Sequence, residues 1–478
     1  MKKKCLALIA TLCMLINHNT FATLQQDIDR MIVNVHPPIH VGVVVHQADT
    51  GKILYEHVSQ YLFSPASIQK VLTATAALIA LGKDFRFRTE LLTNGTTKGH
   101  VLNGNVLIKF SGDPELTSDD LQQLLDTLAS QGVKKIQGNI YIDSSTYDSI
   151  PYPPGWLWDD LSYSYAAPLS AVNINKNKFI LHLTPGKNVG EQPTLSSSLP
   201  SNVAHFNNHV TTIARYNKQC PLTIYSDFEN DFSLHGCISK KEAGRWNRSL
   251  AVRNTIPLAA AIIHNSLANN GISYTGKIVT GVANNQYRVL NTHYSVTLQN
   301  LLKHMLKKSD NLISDSLLKQ LGYYTFRTQG TWLNGKKALE KILHEATRMS
   351  FDKVLIDDGA GMSRYNLITP NHFVALLDYI YKQPESFRHV LIDALPIGGI
   401  DGTLIGRFYN QAAEKRIHAK TGSMTGVSSL TGYIYSRHLG ILSFSIMVNG
   451  FVGKARPYRN FEDKICEYLV NYHGMQHG

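Results

Sequence analysis

The sequence predicts a mixed α/β protein of several domains, and three observations lead to this expectation. The chain has 478 residues, which is more than one core of ordinary size accommodates. Helical and strand patterns alternate along it, and its 43% hydrophobic and 17% charged content is typical of soluble globular proteins. Residues 170–255 differ in texture, because they are rich in Asn, Ser, Thr and Pro and contain only short strand patterns. They predict a separate small β domain.

The N-terminus has the three parts of a secretory signal peptide. Three lysines at residues 2–4 form a basic start, and residues 5–16 are an apolar run too short to span a bilayer. Small residues at positions 20 and 22 predict cleavage after Ala22, with an uncleaved anchor as the alternative. Because no later segment offers 18 uncharged apolar residues, we expect a soluble exported protein with at most peripheral membrane contact.

Composition and motifs limit the partners and cofactors that we expect for this protein. The formal net charge of +12 falls to about +9 without the signal peptide, which suits an anionic envelope polymer or a membrane surface. No basic cluster with interleaved aromatic residues predicts a nucleic-acid site, and no HExxH motif or cysteine pattern predicts a metal or another cofactor. Since export implies an oxidising compartment, we expect Cys220 and Cys237 to form a disulfide. Cys466 lies in an apolar helical pattern and is expected to be a buried thiol.

Local patterns predict the elements in chain order. Residues 40–46 and 53–57 flank a turn and predict a β-hairpin. Ser64 is a suitable N-cap, Pro65 suits the first helical position, and Gly82 suits the helix stop. The stretch between them is almost wholly apolar and predicts a helix through the interior of a domain. The later predicted elements are strands at 86–92 and 106–110 joined through an Asn103-Gly104 hairpin turn, a helix at 119–129 capped by Thr117 or Ser118, a strand at 136–142, helices at 298–321 and 370–383, strands at 428–436 and 440–448, and a helix at 460–472.

Ser67 and Lys70 form a Ser-x-x-Lys tetrad at the start of the apolar helix. A serine hydroxyl is a poor nucleophile and needs a nearby base, and a lysine three residues later shares its helix face. Ser67 also falls in the first helical turn, where free backbone N–H groups favour developing negative charge. The same tetrad recurs at residues 316–319 and 350–353, and the capped, buried helix favours the first match.

Ser309 and Asn311 belong to a Ser-x-Asn triplet at a helix or helix–loop position. We expect Ser309, helped by the lysines at 307 and 308, to relay a proton to a leaving amine. We expect Asn311 to bind a substrate amide. Neither residue type would carry this interpretation alone, because Ser and Asn are also ordinary cap residues.

The tripeptide Lys420-Thr421-Gly422, followed by Ser423, precedes a strand pair. A strand at a sheet edge can bind an extended peptide through its backbone. We expect Lys420 and Thr421 to hold a C-terminal carboxylate, and Gly422 to allow close approach of the substrate. The Ser423 N–H would complete an oxyanion hole with the Ser67 N–H.

Taken in order, the three motifs resemble those of penicillin-binding proteins and serine β-lactamases. The chain is most similar to the low-molecular-mass class C penicillin-binding proteins, peptidase family S13, over nearly all of the mature sequence. Residues 358–364 resemble the DGSGLSR loop of that family, with Ala360 in place of serine and Met362 in place of leucine. Residues 395–404 resemble its LPxxGxDG(T/S)L segment. Ser67 and Ser309 are 242 residues apart, and such long insertions distinguish this group from simple β-lactamases.

The resemblance implies a nested domain organisation. A signal peptide at 1–22 would precede a β-lactamase/transpeptidase-like α/β domain, formed by residues 23–85 and 292–478. This domain would be interrupted by a second, mostly β domain at 86–169 and 256–291. That domain would be interrupted in turn by a third, at residues 170–255.

The resemblance also implies an activity and a substrate site. The protein would be a periplasmic, Gram-negative D-Ala-D-Ala carboxypeptidase, a D-alanyl-diaminopimelate endopeptidase, or both, acting on peptidoglycan stems and crosslinks through a Ser67 acyl-enzyme. β-Lactams would be covalent inhibitors. In the segment from residue 155 to Tyr165, Asp160 would meet the ammonium group of diaminopimelate, and Arg364 its carboxylate. Met424 and Thr425 would line the same pocket. A serine β-lactamase and a non-catalytic peptidoglycan-binding scaffold stay open as alternatives.

Overall fold

The computed structural model describes residues 23–242 and 246–473 and has the mixed α/β architecture that the sequence predicts. The predicted signal peptide lies outside the described residues. None of the helices in the described part of the chain is long and apolar enough to cross a membrane. The helices are α1 Leu24–Val33, α2 Lys70–Leu81, α3 Ser118–Ser130, α4 Thr255–Asn269, α5 Leu298–Lys308, α6 Asn311–Phe326, α7 Trp332–Thr347, α8 Pro370–Lys382, α9 Glu385–Ile392 and α10 Arg456–Asn471.

The strands form five sheets. One sheet joins the two ends of the chain in the order β18-β19-β20-β1-β2, and all its neighbours are antiparallel. The other sheets have the orders β10-β9-β14, β11-β13-β12, β15-β7-β5-β4 and β16-β8-β6-β3-β17. The strands are β1 His40–Gln47, β2 Ile53–His57, β3 Arg88–Thr93, β4 Thr96–Lys98, β5 Val101–Asn103, β6 Val106–Lys109, β7 Lys135–Gln137, β8 Ile140–Asp143, β9 Lys178–Thr184, β10 Thr194–Ser197, β11 His205–Ile213, β12 Thr223–Ser226, β13 Asp231–Ser239, β14 Trp246–Ala251, β15 Ser273–Tyr274, β16 Ile278–Thr280, β17 Arg288–Tyr294, β18 Ile417–Met424, β19 Val427–Tyr435 and β20 Ile441–Asn449.

The sheet formed by the chain ends is covered on both faces. Tyr433 and Met447 point into a core shared with α2, α6 and α8, whereas Leu430, Ile446 and Val448 point into a second core shared with α1 and α10. Both faces of β19 and β20 are buried, although β19 includes the buried polar residues Ser428, Ser429 and Thr431. A third core lies within the residues between β3 and β17.

The segment that leads into α2 differs from the predicted helix start. A 3-10 turn spans Ala66–Gln69, and α2 proper begins at Lys70. Ser64 is not the N-cap, because its hydroxyl is buried and has no hydrogen-bond partner among the described residues. Instead Asn449, at the end of β20, binds the Ser64 backbone through both its amide atoms, with the N–H 2.8 Å from Oδ1 and the carbonyl 3.2 Å from Nδ2. The apolar helix itself is confirmed, since every residue from Lys70 to Leu78 is buried.

The helix predicted over residues 298–321 is wrong as a single element. The chain breaks it at Ser309, whose φ of 59° and ψ of 39° are left-handed, and Asp310 then caps the new helix α6. The Asp310 carboxylate accepts the backbone N–H of Ile313 at 3.1 Å. An apolar pattern that continues across the break gives no sign of it, because both helices pack on the same core.

Two strand predictions in the middle of the chain also need correction. Asn103-Gly104 is not a hairpin turn, because β5 and β6 on its two sides belong to different sheets. The hairpin lies one strand earlier, where β4 pairs with β5. Likewise the strand predicted at 136–142 is two short strands, β7 and β8, divided between the same two sheets. Strand β17 pairs with β3 from Arg288 to Tyr294.

Cys220 and Cys237 are joined by a disulfide, with their Cα atoms 5.5 Å apart. This bond ties the loop before β12 to strand β13. Cys466 is a free, fully buried thiol in α10. Burial raises the pKa of this thiol well above its usual value, so it is an inert packing residue.

Candidate active site

Ser67 lies on the 3-10 turn before α2, where the backbone is tightly confined. Ala66 has a φ of +50°, a strained conformation for a residue with a side chain. Two glycines make room for this turn: a Cβ on Gly422 would lie 2.7 Å from the Pro65 carbonyl oxygen, and one on Gly361 would lie 2.0 Å from that of Ala66. Ser67 is therefore held between strand β18 and the 358–364 loop, and it stays partly exposed to solvent.

Lys70 lies fully buried beneath Ser67. Its Nζ donates to Ser67 Oγ at 2.9 Å, to Asn311 Oδ1 at 2.7 Å and to the Ala360 carbonyl at 2.7 Å. Burial lowers the pKa of Lys70 to about 8, against the opposing effect of nearby carboxylates. When Lys70 is neutral, Asn311 and Ala360 can hold its two N–H groups, so that the lone pair faces the Ser67 hydroxyl. This geometry suits a general base.

Ser309 is presented by the break between α5 and α6, and its hydroxyl accepts from Lys420 Nζ at 2.9 Å. Lys420 is fully buried, and burial lowers its pKa well below the usual value, with the neighbouring Lys70 charge acting in the same direction. The expectation that Ser309 works with lysines 307 and 308 is wrong. Lys307 Nζ donates instead to the Leu395 carbonyl at 2.6 Å and to a carboxylate, and Lys308 is exposed.

The Lys420-Thr421-Gly422-Ser423 segment lies inside β18, the edge strand of the sheet. Gly422 pairs with Ser429 of β19. On the outer edge, residues 396–398 bond to the backbone of Ile417 and Ala419, and within the described residues no strand pairs with the part from Lys420 onward. The Thr421 hydroxyl donates to Thr403 at 2.7 Å, and the exposed Ser423 hydroxyl accepts from Arg459 at 3.0 Å. The outer edge of β18 from Lys420 to Met424 is thus available to an extended peptide beside Ser67.

Asp160 and Tyr165 lie close to Asn311, at the rim of the site. The Tyr165 hydroxyl donates to Asp160 Oδ1 at 2.6 Å, and the Tyr165 carbonyl accepts from Asn311 Nδ2 at 2.8 Å. Burial, followed by the Asp160 carboxylate, raises the pKa of Tyr165, so the phenol stays protonated. Since Asn311 also binds Lys70, one short chain of hydrogen bonds connects the rim to the base.

Arg364 lies on the same loop as Ala360, and its guanidinium donates to the Thr425 carbonyl at 2.8 Å. Thr425 follows Met424, the last residue of β18. Arg364 is therefore brought next to the end of the edge strand. Met362, from the same loop, contacts Asn311 with its sulfur 2.8 Å from Nδ2.

Two buried carboxylates to which the sequence analysis assigned no role shape the 358–364 loop. Asp358 accepts the backbone N–H groups of Gly361 and Ser363 at 2.6 Å each, and the Trp156 indole N–H at 2.8 Å. Asp315 accepts the N–H of Ala360 at 3.1 Å, and burial raises the pKa of Asp315 well above its usual value. An acid within an apolar helical pattern is the signal that would have drawn attention to Asp315.

The other two Ser-x-x-Lys matches lie elsewhere. Residues 316–319 are inside α6, where Lys319 points to a different set of acceptors, and residues 350–353 lie in the loop after α7. Among the described residues, no group of three or more His, Cys, Asp or Glu side chains is arranged to hold a metal ion.

Comparison with known proteins gives this arrangement a family. The family model described as "D-Ala-D-Ala carboxypeptidase 3 (S13) family" matches residues 24–472. The D-alanyl-D-alanine carboxypeptidase DacB of Haemophilus influenzae is 32% identical over 442 residues, which are 91% of this chain and 91% of that protein. The chain belongs to the S13 family of D-Ala-D-Ala carboxypeptidases.

Structural comparison agrees with this assignment. A crystal structure of penicillin-binding protein 4 from Haemophilus influenzae matches with a TM-score of 0.87 at 32% identity, over 93% of this chain and 100% of that one. A D-alanyl-D-alanine carboxypeptidase of Actinomadura is 29% identical over 470 residues, 95% of this chain and 85% of that protein. The S13 protein is thus a serine-type carboxypeptidase with a transpeptidase-like fold and inserted domains, and the predicted fold class, family and enzyme class are confirmed.

Proposed function

We propose that this S13 enzyme cleaves D-alanyl peptide bonds of peptidoglycan through an acyl-enzyme on Ser67. The observation that carries the proposal is the pair of buried lysines, each bonded to a serine hydroxyl. Lys70 lies 2.9 Å from Ser67, and Lys420 lies 2.9 Å from Ser309. Two such pairs at one strand edge supply a nucleophile with its base and a separate route for the second proton.

Acylation begins with proton transfer from Ser67 to neutral Lys70. The Ser67 oxygen forms a bond to the carbonyl carbon of a D-alanine residue, and the carbonyl oxygen takes the negative charge. The backbone N–H groups of Ser67 and Ser423 stabilise this oxyanion. The C–N bond then breaks as the Ser309 hydroxyl gives its proton to the leaving amine. Ser309 recovers a proton from Lys420, whose Nζ lies 2.9 Å from the Ser309 hydroxyl, and water later hydrolyses the ester.

Binding of the substrate uses the free edge of β18. The peptide extends along this edge, and Thr421 and Lys420 receive the terminal carboxylate when D-alanine leaves. Gly422 is needed here because a side chain would collide with the Ser67 turn. A peptide bound in this way loses its C-terminal D-alanine, which is the carboxypeptidase reaction.

Endopeptidase activity is a second proposed function, and the rim residues favour it. Asp160 binds the ammonium group at the free end of a diaminopimelate side chain, and Arg364 binds its carboxylate. Tyr165, Met424 and Thr425 line the pocket between them. The support is that Tyr165 bonds both to Asp160 and to Asn311 of the central site. A crosslink held there presents its side-chain amine as the leaving group.

β-Lactams are proposed covalent inhibitors that acylate Ser67. A crystal structure of the Haemophilus penicillin-binding protein 4 complexed with a β-lactam matches this chain with a TM-score of 0.81 at 31% identity. In a β-lactam the leaving amine stays tethered to the acyl group, so it blocks the approach of water. Slow deacylation distinguishes this proposal from a β-lactamase.

The cellular setting is proposed from the sequence. Residues 1–22 direct export and are removed, and the mature enzyme works in a Gram-negative periplasm with at most peripheral membrane contact. We place its domains at residues 23–85 and 292–478, at 86–169 and 256–291, and at 170–255. The sheet of β1, β2 and β18–β20 supports the first of these, because it joins both ends of the chain.

Labelling and digestion test the proposal together. Fluorescent penicillin should label the wild-type protein and not Ser67→Ala, and failure of wild-type labelling would favour a non-catalytic scaffold. Purified crosslinked muropeptides, digested by both proteins and analysed by mass spectrometry, should lose D-alanine or their crosslink only with wild type. Rapid multiple turnover of nitrocefin would instead support a β-lactamase.

A further inference from the structure

Lys176 lies on an unusual turn before strand β9. Three consecutive residues, Asn175, Lys176 and Asn177, have left-handed φ angles of 51°, 59° and 50°. Side-chain-bearing residues adopt this conformation at an energetic cost, and it persists only where the surroundings enforce it. The cost is least for asparagine, which leaves Lys176 as the residue whose conformation most needs an explanation.

The neighbouring asparagines enforce the turn. Asn175 Oδ1 accepts the Ser118 N–H at 3.0 Å, and Asn177 Oδ1 accepts the Ile174 N–H at 3.1 Å. Asn177 is fully buried and also donates to the Pro168 carbonyl at 3.0 Å. These hydrogen bonds fix the backbone of the turn, and with it the point from which the Lys176 side chain extends.

From this turn, Lys176 reaches the break between α5 and α6. Its Nζ lies 2.7 Å from Asp310 Oδ2 and 3.4 Å from Glu115 Oε1. His304 of α5 completes the cluster, because its Nδ1 contacts Glu115 Oε1 and its Nε2 lies 3.4 Å from Lys176 Nζ. The side chains of Lys176 and Asp310 are only 20% and 15% exposed. A partly buried ion pair of this kind is screened less by solvent than a surface pair.

Asp310 lies between the two motif residues of the helix break. One of its carboxylate oxygens caps α6, and the other accepts from Lys176. On one side of Asp310, Ser309 holds the left-handed conformation that directs its hydroxyl to Lys420. On the other side, Asn311 binds Lys70. Movement of Asp310 would therefore shift the Ser309 hydroxyl and the Asn311 side-chain amide together.

We infer that Lys176 is a positioning residue that fixes the Ser309–Asn311 segment for proton transfer. The inference rests on the proposed function, because it assigns a cause to the geometry of that site. Lys176 touches neither Ser67 nor the edge of β18 in any described contact, so its effect passes through Asp310. The contact spans 134 residues of sequence and links the turn before β9 to the catalytic motif.

The test measures D-alanine release from a pentapeptide, together with thermal unfolding, for Lys176→Met and its matched control Glu115→Gln. The control removes the charge of the second carboxylate and leaves the Lys176–Asp310 pair intact. Lys176→Met should lower kcat about 10- to 100-fold, as displaced catalytic groups do, with KM near the wild-type value. Glu115→Gln should keep kcat close to wild type, and Lys176→Arg should restore most of the lost kcat.

A double-mutant cycle decides whether the effect passes through Asp310. Lys176→Met combined with Asp310→Asn should be no slower than the slower single variant, because both remove the same contact. Independent, multiplying losses would overturn the inference. So would wild-type kcat in Lys176→Met, a change confined to KM, or equal losses in Lys176→Met and Glu115→Gln that follow their thermal stability. If the wild-type protein releases no D-alanine and takes no penicillin label, the proposed function itself fails.

Discussion

Two Ser-x-x-Lys tetrads in helical segments have buried lysines, and these lysines face different partners. Both Lys70 and Lys319 are fully buried. Lys70 donates only to uncharged acceptors, one of which is the Ser67 hydroxyl. Lys319 Nζ instead lies 2.5 Å from a carboxylate oxygen of Asp148 and 2.8 Å from the Ile150 carbonyl.

This difference separates a base from a structural cation. Burial lowers the pKa of both lysines, but the Asp148 carboxylate opposes the shift at Lys319 through a direct ion pair. The serine of the second tetrad is also engaged elsewhere, since Ser316 Oγ accepts a 3.4 Å hydrogen bond from Asn173. The same Ser-x-x-Lys spacing therefore does not give the two lysines the same chemical role. The charge of the acceptors around the amine decides whether the amine can lose its proton.

Replacing the serine of each tetrad should give the largest difference in acylation between the two tetrads. Ser67→Ala should lower acylation by penicillin about 1,000-fold or more, because the attacking oxygen is lost. Ser316→Ala should be labelled like wild type, since its hydroxyl loses only one weak hydrogen bond, to Asn173. In-gel fluorescence over a time course measures both variants. Loss of labelling in a folded Ser316→Ala protein would contradict the assignment of the first tetrad.

Replacing the lysines should give opposite outcomes. Lys70→Met should reduce the acylation rate about 100- to 10,000-fold, the usual contribution of a general base. Lys319→Met should leave acylation of the folded protein near wild type and reduce the free energy of unfolding by about 1 to 3 kcal/mol, because the half-buried Asp148 then loses its partner. Stopped-flow acylation and urea unfolding separate the effects. A similar loss of acylation in both variants would contradict the distinction.

The pH dependence of acylation should follow the titration of Lys70. The base must be neutral, and the pKa of Lys70 is about 8, so the rate should rise with pH and level off above that value. Below it, each pH unit should reduce the rate about tenfold, as the neutral fraction falls. Ser316→Ala should show the same profile. A rate that is constant between pH 6 and pH 9 would exclude Lys70 as the base.

Most features that could be predicted from the sequence are local patterns of neighbouring residues. The Ser67–Lys70 spacing, the apolar helix and the C-terminal strands are local patterns, and the structure contains each of them. The order of the three motifs then brought distant segments into one hypothesis. In the structure, Lys70 is hydrogen-bonded to Ser67 and Asn311. Lys420 is hydrogen-bonded to Ser309 of the same Ser-x-Asn motif.

Long-range pairings were beyond the sequence. The apolar pattern across Ser309 gave no sign of the helix break, because no glycine marks its left-handed residue. The Asn103-Gly104 signal was a plausible turn, yet the strands beside it pair with partners far along the chain. Lys176 carried no local signal at all, since its importance depends on a contact with Asp310 that only the folded chain creates.

Asp148 and Asp160 extend the comparison from lysines to carboxylates and give the smallest predicted effect. Asp148 is committed to Lys319, whereas no lysine, arginine or histidine lies within salt-bridge distance of Asp160 among the described residues. Its described partner, the Tyr165 hydroxyl, occupies one carboxylate oxygen and leaves the other for a substrate cation. Asp160→Asn should therefore lower crosslink cleavage about tenfold, the loss of one partly exposed charge-assisted contact. It should leave penicillin acylation unchanged, because penicillin carries no such ammonium group. Mass spectrometry of digested dimeric muropeptides measures the first rate, and equal losses for both substrates would place Asp160 in the chemical step instead of in substrate recognition.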